Sequence, residues 1–166
     1  MSLTIHVAWL GLGSNLDAPA DQVGRAIEAL AADPNLRVLA KSSLYRTAPV
    51  GGPAGQPAFC NACVAVAARC DAYALLDITQ AIEQAHGRVR DVRWGPRTLD
   101  IDMLAFDDLM LNDPRLTLPH PRAAERAFVL VPLAEIAPAL VLGRQGRVID
   151  LCRDAGTVGV ERWRAA

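Results

Sequence analysis

Between Thr98 and Phe106 the chain reads TLDIDMLAF, and its side chains sort by parity: Asp100 and Asp102 fall on one, Leu99, Ile101 and Met103 on the other. Alternation with a period of two is the pattern of a strand laid on an apolar core. Whatever the chain folds into must therefore hold two carboxylates side by side on one sheet face, roughly 7 Å apart at the Cα atoms. Like charges that close raise the proton affinity of one of the pair. A divalent cation removes the penalty, and hard oxygen donors suit Mg²⁺, which takes one or two carboxylates and completes its shell with water and phosphate oxygens.

The residues just before this strand fit the same chemistry. Arg88, Arg90, Arg93 and Arg97 crowd around Trp94 and a Gly95-Pro96 turn. Planar guanidinium groups hold phosphate oxygens in bidentate fashion and keep their charge at any working pH. An acid pair beside an arginine cluster reads as metal-assisted phosphoryl chemistry. An edge strand with a solvated polar face, preceded by a charged loop, is the plainer reading of the same residues.

Composition narrows the field. With 52% apolar residues in 166 the chain can bury a substantial core, and one domain over 1–166 is expected. The net charge of −1 gives no basic excess of the kind a nucleic-acid binder shows. Lys41 is the sole lysine, which excludes a phosphate loop of the G-x-x-x-x-G-K-[ST] type. No Lys or Arg precedes Arg25 and no long apolar run occurs, so a cytoplasmic protein without a membrane segment is expected. Cys60 and Cys63 have C-x-x-C spacing, but FCNACVAVA looks like a strand, in which residues three apart face opposite ways. Buried small residues are favoured there over a redox or zinc site.

Taken in order, Ile5–Leu12 is an apolar strand running into Gly11-Leu-Gly13-Ser14-Asn15, whose glycines suggest a tight turn or a close backbone approach. Leu16 stands where a dinucleotide fingerprint needs its third glycine. A helix starts at Asp17/Pro19, carries Val23, Ile27 and Leu30 at helical spacing, and ends near Asp33-Pro34. Leu36–Tyr45 has strand character and leads into a Pro/Gly-rich loop over 46–57, long enough to be functional. The next strand sets Phe59 and Asn61 on one parity, able to stack on and hydrogen-bond a flat heterocycle, or equally core and turn residues. Asp71 caps a helix over 72–86 closed by Gly87, with Leu75, Ile78 and Ile82 as its buried stripe and Gln80 and Glu83 off it. His120, between two prolines, is held in an extended context. A third helix over 124–136, with Phe128 near its start, precedes Pro138 and a short Val/Leu strand; the tail from Arg153 onward carries no clear signal. The order β-α-β-β-α-β predicts an α+β, ferredoxin-like core with an added C-terminal helix and strand, in α/β/α layers.

Together, G-x-G-S-N at 11–15, S-x-Y-R-T at 43–47, the helix bearing Gln80 and Glu83, G-R-V-R at 87–90, R-W-G-P-R-T-L-D-I-D at 93–102 and L-P-H at 118–120 resemble the 6-hydroxymethyl-7,8-dihydropterin pyrophosphokinase family of folate biosynthesis. The resemblance implies transfer of diphosphate from ATP to the hydroxymethyl oxygen of the pterin, with release of AMP. It implies that Asp100 and Asp102 hold two Mg²⁺ ions and that Arg88 and Arg97 clamp the triphosphate. Gln80, Glu83, Ile101, Arg115, Thr117, His120 and Arg126 match positions lining the nucleotide site. Phe59 and Phe128 match the aromatics that sandwich the pterin ring, Asn61 and Thr47 the groups that read its edge, and Ala48, Pro49, Val50 and Trp94 further substrate contacts. Arg90 and Arg93 fall in a loop resembling a mobile lid. The partners so implied are small molecules bound by a monomer. The chain departs from the family pattern at Ala48, Phe59 and Pro121, where many relatives carry Pro, Tyr and an aromatic.

Overall fold

The longest strand, β4 (Phe59–Ala68), runs through the middle of the molecule and is buried along nearly its whole length. Its small and β-branched residues, FCNACVAVAA, suit a strand covered on both sides. The structure is a computed structural model and describes residues 4–16, 18–48, 55–86 and 99–164. Strand β1 (His6–Ser14) pairs antiparallel with one edge of β4, while β2 (Leu36–Lys41) and β3 (Tyr45–Thr47) share the other edge. Strand β5 (Asp100–Phe106) lies outside β1, and β8 (Val160–Arg162) outside β3. The sheet order β5-β1-β4-β3-β8, with β2 also on β4, contains the ferredoxin-like arrangement of four strand positions. A separate ribbon is formed by β6 (Leu111–Asn112) and β7 (Thr117–Leu118).

Helices cover both faces. On one side α1 (Pro19–Ala32) and α2 (Ala72–Ala85) pack Val23, Leu30 and Leu75 against Leu10, Val64 and Ile101. On the other, α3 (Ala127–Ile136) and α4 (Val148–Ala155) pack Leu133 and Val148 against Cys63 and Leu104. The three layers expected from the sequence are present. Cys60 lies in the first core and Cys63 in the second, as strand parity requires. Pro19 opens α1, and the Asp71 carboxylate caps α2 by accepting from the Ala74 amide at 2.8 Å.

Three expectations need correction, and the tail acquires a structure. The β run from Leu36 to Tyr45 breaks in two, because the Ser42 hydroxyl turns inward to accept the Cys63 amide at 2.9 Å. The third helix begins at Ala127; residues 123–125 form a 3₁₀ turn, and extended backbone at Arg126 separates the two. In place of the short strand after Pro138 there is a single bridge between Val141 and Arg147. The tail that carried no signal supplies β8, which adds the outermost strand beside β3. Gly87 lies outside the described residues, and α2 ends at Ala85 with His86 as its cap, whose amide reaches the Ile82 and Glu83 carbonyls.

Candidate active site

Strand register assembles the site. Asp100 of β5 stands opposite Gly13 of β1, which stands opposite Asn61 of β4, which stands opposite Tyr45 of β3. One step along, Asp102 faces Gly11 and Gly11 faces Cys63; one step the other way, Phe59 faces Thr47. Directly opposed residues share a face, and Cys63 belongs to the core under α3. The two carboxylates, Asn61, Thr47 and Phe59 therefore look out on the α3 side of the sheet. Phe128, half-buried, sits in the first turn of α3 on that side.

The glycines of G-x-G-S-N lie inside β1 rather than in a turn. A methyl group at Gly13 would come within 2.8 Å of the Asn61 Oδ1, so the close approach expected there is that of a side chain crossing bare backbone. Asn61 is buried and its amide donates to the Thr47 hydroxyl at 2.6 Å. Asn15, just beyond β1, donates through Nδ2 to Gln56 Oε1 and to the Pro57 carbonyl at 3.1 and 3.2 Å, anchoring the end of the Pro/Gly-rich loop. Ala48 and Gln56 line a groove of about 520 Å³ with Arg46 and Val160.

Asp100 and Asp102 are half-buried, whereas Ile101 and Met103 between and beyond them are buried. Among the described residues no cluster of three or more His, Cys, Asp or Glu has the placement to cage a metal. A pair of carboxylates beside side-chain-free backbone fits Mg²⁺ nonetheless, since that ion leaves several positions to water and phosphate. Among the described residues β5 has a strand partner, β1, on one edge, and α2 serves the other: the Glu83 carboxylate accepts the Ile101 amide at 2.9 Å. Glu83 is thus not off the buried stripe. The stripe of α2 runs through Leu75, Thr79 and Glu83, because the helix turns toward that open strand edge; Ile78 and Ile82 are only partly buried.

His120 follows a cis Leu118-Pro119 bond and donates its amide to the Leu104 carbonyl at 2.9 Å. Leu104 is the extra residue of a β-bulge in β5. The His120 Nδ1 accepts the Arg122 amide at 3.2 Å, which places the ring proton on Nε2. Burial pushes its pKa down; Arg126 and Arg122 add to this and Asp100 opposes it. Near neutral pH His120 is therefore a neutral Nε2–H donor among charges of both signs. The Arg126 guanidinium lies 5.6 Å from the Phe128 ring centre, over its face. Arg115 is instead held at α2, paired with Asp77 and over the Tyr73 ring. Thr117 lines a groove of about 790 Å³ with Met110, Pro119 and Gln145, and Gln80 is half-buried on α2. Pro49, Val50, Arg88, Arg90, Arg93, Trp94 and Arg97 lie outside the described residues.

The cysteines offer no reactive thiol. Burial drives the Cys60 thiol up to about 12. Burial also raises Cys63, reinforced by Asp102 and Glu135. A redox site needs the opposite shift. One residue of consequence escapes sequence reasoning: Glu135, which bonds to Tyr45 and Ser43. Its signal is a lone acid in the apolar run AFVLVPLAEI.

A family profile described as 7,8-dihydro-6-hydroxymethylpterin-pyrophosphokinase (HPPK) matches residues 9–138. A 2-amino-4-hydroxy-6-hydroxymethyldihydropteridine pyrophosphokinase of Methylorubrum extorquens is 52% identical over 155 residues, covering 93% of this chain and 97% of the relative. One of Pseudomonas aeruginosa is 44% identical over 158 residues, 95% of this chain and 97% of its own length. Among solved structures, a Plasmodium falciparum HPPK-DHPS superposes with a TM-score of 0.75 at 14% identity, over 97% of this chain and 49% of that one. Another crystal structure of that protein, with pteroate, gives 0.74 at 13% identity, over 93% of this chain and 45% of its own. This chain spans less than half of those solved chains, and at such identity the likeness speaks for the fold alone.

Proposed function

The chain belongs to the 7,8-dihydro-6-hydroxymethylpterin-pyrophosphokinase family and is a transferase of folate biosynthesis that uses ATP to pyrophosphorylate hydroxymethyldihydropterin; we infer that Asp100 and Asp102 bear two Mg²⁺ ions at its reacting centre. One observation carries this assignment: cross-strand register puts the carboxylate pair on the same sheet face as Phe59, Asn61 and Thr47, with bare glycine backbone between them. An anionic donor and a flat heterocyclic acceptor then meet over Gly11 and Gly13.

The hydroxymethyl oxygen attacks the β-phosphorus of ATP while the bond from that phosphorus to the α,β-bridging oxygen breaks; AMP departs and the hydroxyl proton is released to solvent. Negative charge grows on the bridging oxygen and on the β-oxygens, so the work of the site is positioning and neutralisation. Asp100 and Asp102 would hold Mg²⁺, which when bound would supply neutralisation of that charge. His120 donates from Nε2 toward the phosphates, and Arg88 and Arg97 clamp the triphosphate. Gln80, Ile101, Arg115, Thr117 and Arg126 line the nucleotide site, while Glu83 serves it by holding the Ile101 amide between the two aspartates. Phe59 and Phe128 enclose the pterin ring, a stacking worth about 0.5 to 1.5 kcal/mol beyond burial. Asn61 and Thr47 read the ring's edge, with Ala48, Pro49, Val50 and Trp94 closing the pocket. The family resemblance assigns Arg90 and Arg93, outside the described residues, to a segment that would exclude water, a competing acceptor.

On the same reading the chain works as one domain over 1–166, a cytoplasmic monomer with small molecules as its partners. Among the described residues no helix is long and apolar enough to cross a membrane. Incubation with ATP, Mg²⁺ and 6-hydroxymethyl-7,8-dihydropterin is expected to yield AMP. ADP, or no pterin-dependent product, would overturn the reading and favour a nucleotide-binding module that does no chemistry. Asp102→Ala should abolish turnover with the fold preserved; normal turnover in that variant removes the metal assignment.

A further inference from the structure

Glu135 is the one charged residue of α3, an otherwise apolar helix. The residue is exposed, yet its carboxylate reaches across to β3 and the residues before it. The Tyr45 hydroxyl donates to Oε1 at 2.5 Å, and the Ser43 amide and hydroxyl donate to Oε2 at 2.8 and 3.1 Å. Arg162 of β8 completes the group, 4.0 Å from Oε1, with its guanidinium 5.9 Å from the Tyr45 ring centre. Burial alone would raise the carboxyl pKa, but the bonds from Tyr45 and Ser43, with Arg162 behind them, hold it below the usual range. The group is charged at neutral pH, and its acceptor sites are met by three hydrogen bonds.

On the reading of this face as the pterin site, these bonds join two of its walls, β3 and α3. Strand β3 has three residues and ends at Thr47, whose hydroxyl is the partner of Asn61. Three residues of ladder hold a strand weakly, even between two neighbours. Helix α3 carries Phe128 at its other end. We propose that Glu135 is a positioning residue for the pterin pocket, locking β3 to α3 so that Thr47 and Asn61 keep a set distance from Phe128. The proposal rests on the reading of this face as the pterin site. With its side chain 30% exposed, a glutamate here could point into water, but only a carboxylate turned this way takes all three donors.

Steady-state kinetics of Glu135→Gln and Tyr45→Phe, with each substrate varied in turn, tests this. Glu135→Gln keeps the shape of the side chain but turns an NH₂ group on part of its donor set. The pterin KM should rise about tenfold in Glu135→Gln, with the ATP KM and kcat within about twofold of the parent. Tyr45→Phe should raise the pterin KM less. The double variant should be about as impaired as Glu135→Gln alone, well short of the product of the two effects, since both act through one bond. Matched rises in both KM values, or a fall in kcat alone, would mean general loosening of the fold and overturn the proposal. So would an unchanged pterin KM in Glu135→Gln. A parent protein that makes no pterin-dependent AMP overturns the pterin reading itself, and that outcome is distinct because it is seen before any variant is compared.

Discussion

Replacing Gly13 by alanine should damage the pterin pocket while leaving the carboxylate pair in place. The new methyl carbon would lie 2.8 Å from Asn61 Oδ1, with the next atoms at 3.9 Å or more. A carbon and a carbonyl oxygen rest at about 3.3 to 3.6 Å, so the amide has to retreat by roughly 0.5 Å. It has little freedom to do so, because its backbone is in the central strand and its other end is held to Thr47 at 2.6 Å. Relief comes by turning the amide and breaking that bond, which leaves two buried polar groups short of a partner. The cost is about 1 to 3 kcal/mol. At 1.4 kcal/mol per factor of ten this corresponds to a rise in pterin KM of about five- to hundredfold. In a protein of this size it also corresponds to a drop in Tm of about 2 to 4 °C per kcal/mol. Gly11→Ala is the control on the same strand and face: its methyl group would meet the Leu104 side chain at 3.5 Å, an ordinary contact. The assay is pterin KM at saturating ATP and Mg²⁺, with thermal unfolding of both variants. Equal behaviour of the two variants, or a pterin KM within about twofold of the parent in Gly13→Ala, would refute the reasoning.

Glu83→Ala removes the acceptor of the Ile101 amide on the open edge of β5. A hydrogen bond to a charged group contributes about 1.5 to 3 kcal/mol, so calorimetry should show a Tm lower by about 5 °C; a shift below about 1 °C would show that the edge needs no such cap. Stability should also fall as pH is lowered below about 6.5. Burial depresses His120, helped by Arg126, and depresses His86, helped by Arg25, so the unfolded chain takes up these protons first. The loss accumulates from the unfolded value down to the lower folded values, and the depressed carboxyl of Glu135 adds a further loss as pH drops from about 4 through its folded pKa. Urea midpoints measured from pH 8 to pH 3 check this, and a flat curve between pH 7 and pH 5 would contradict the histidine contribution.

Much of the local architecture is legible in the chain because it depends on period alone. The parity of Asp100 and Asp102, the opposed burial of Cys60 and Cys63, the proline start of α1 and the Asp71 cap of α2 all follow from neighbours a few residues away. The order of the first elements is local as well, and it suffices to name the ferredoxin-like core. A period does not say which of two nearly equivalent stripes a helix buries. Leu75, Ile78 and Ile82 are as good a stripe for α2 as Leu75, Thr79 and Glu83, and the open edge of β5 decides for the second. Nor does it reveal that Gly13 leaves room for an asparagine from another strand, or that an acid late in α3 bonds to a tyrosine 90 residues earlier. The same holds for β8, three residues long and without a pattern of its own, which becomes a strand only because β3 offers it a free edge. Side-chain chemistry and its spacing were the sequence's to determine. Register, which brings together residues far apart in the chain, belongs to tertiary structure, because it is set by how strands and helices share two cores at once.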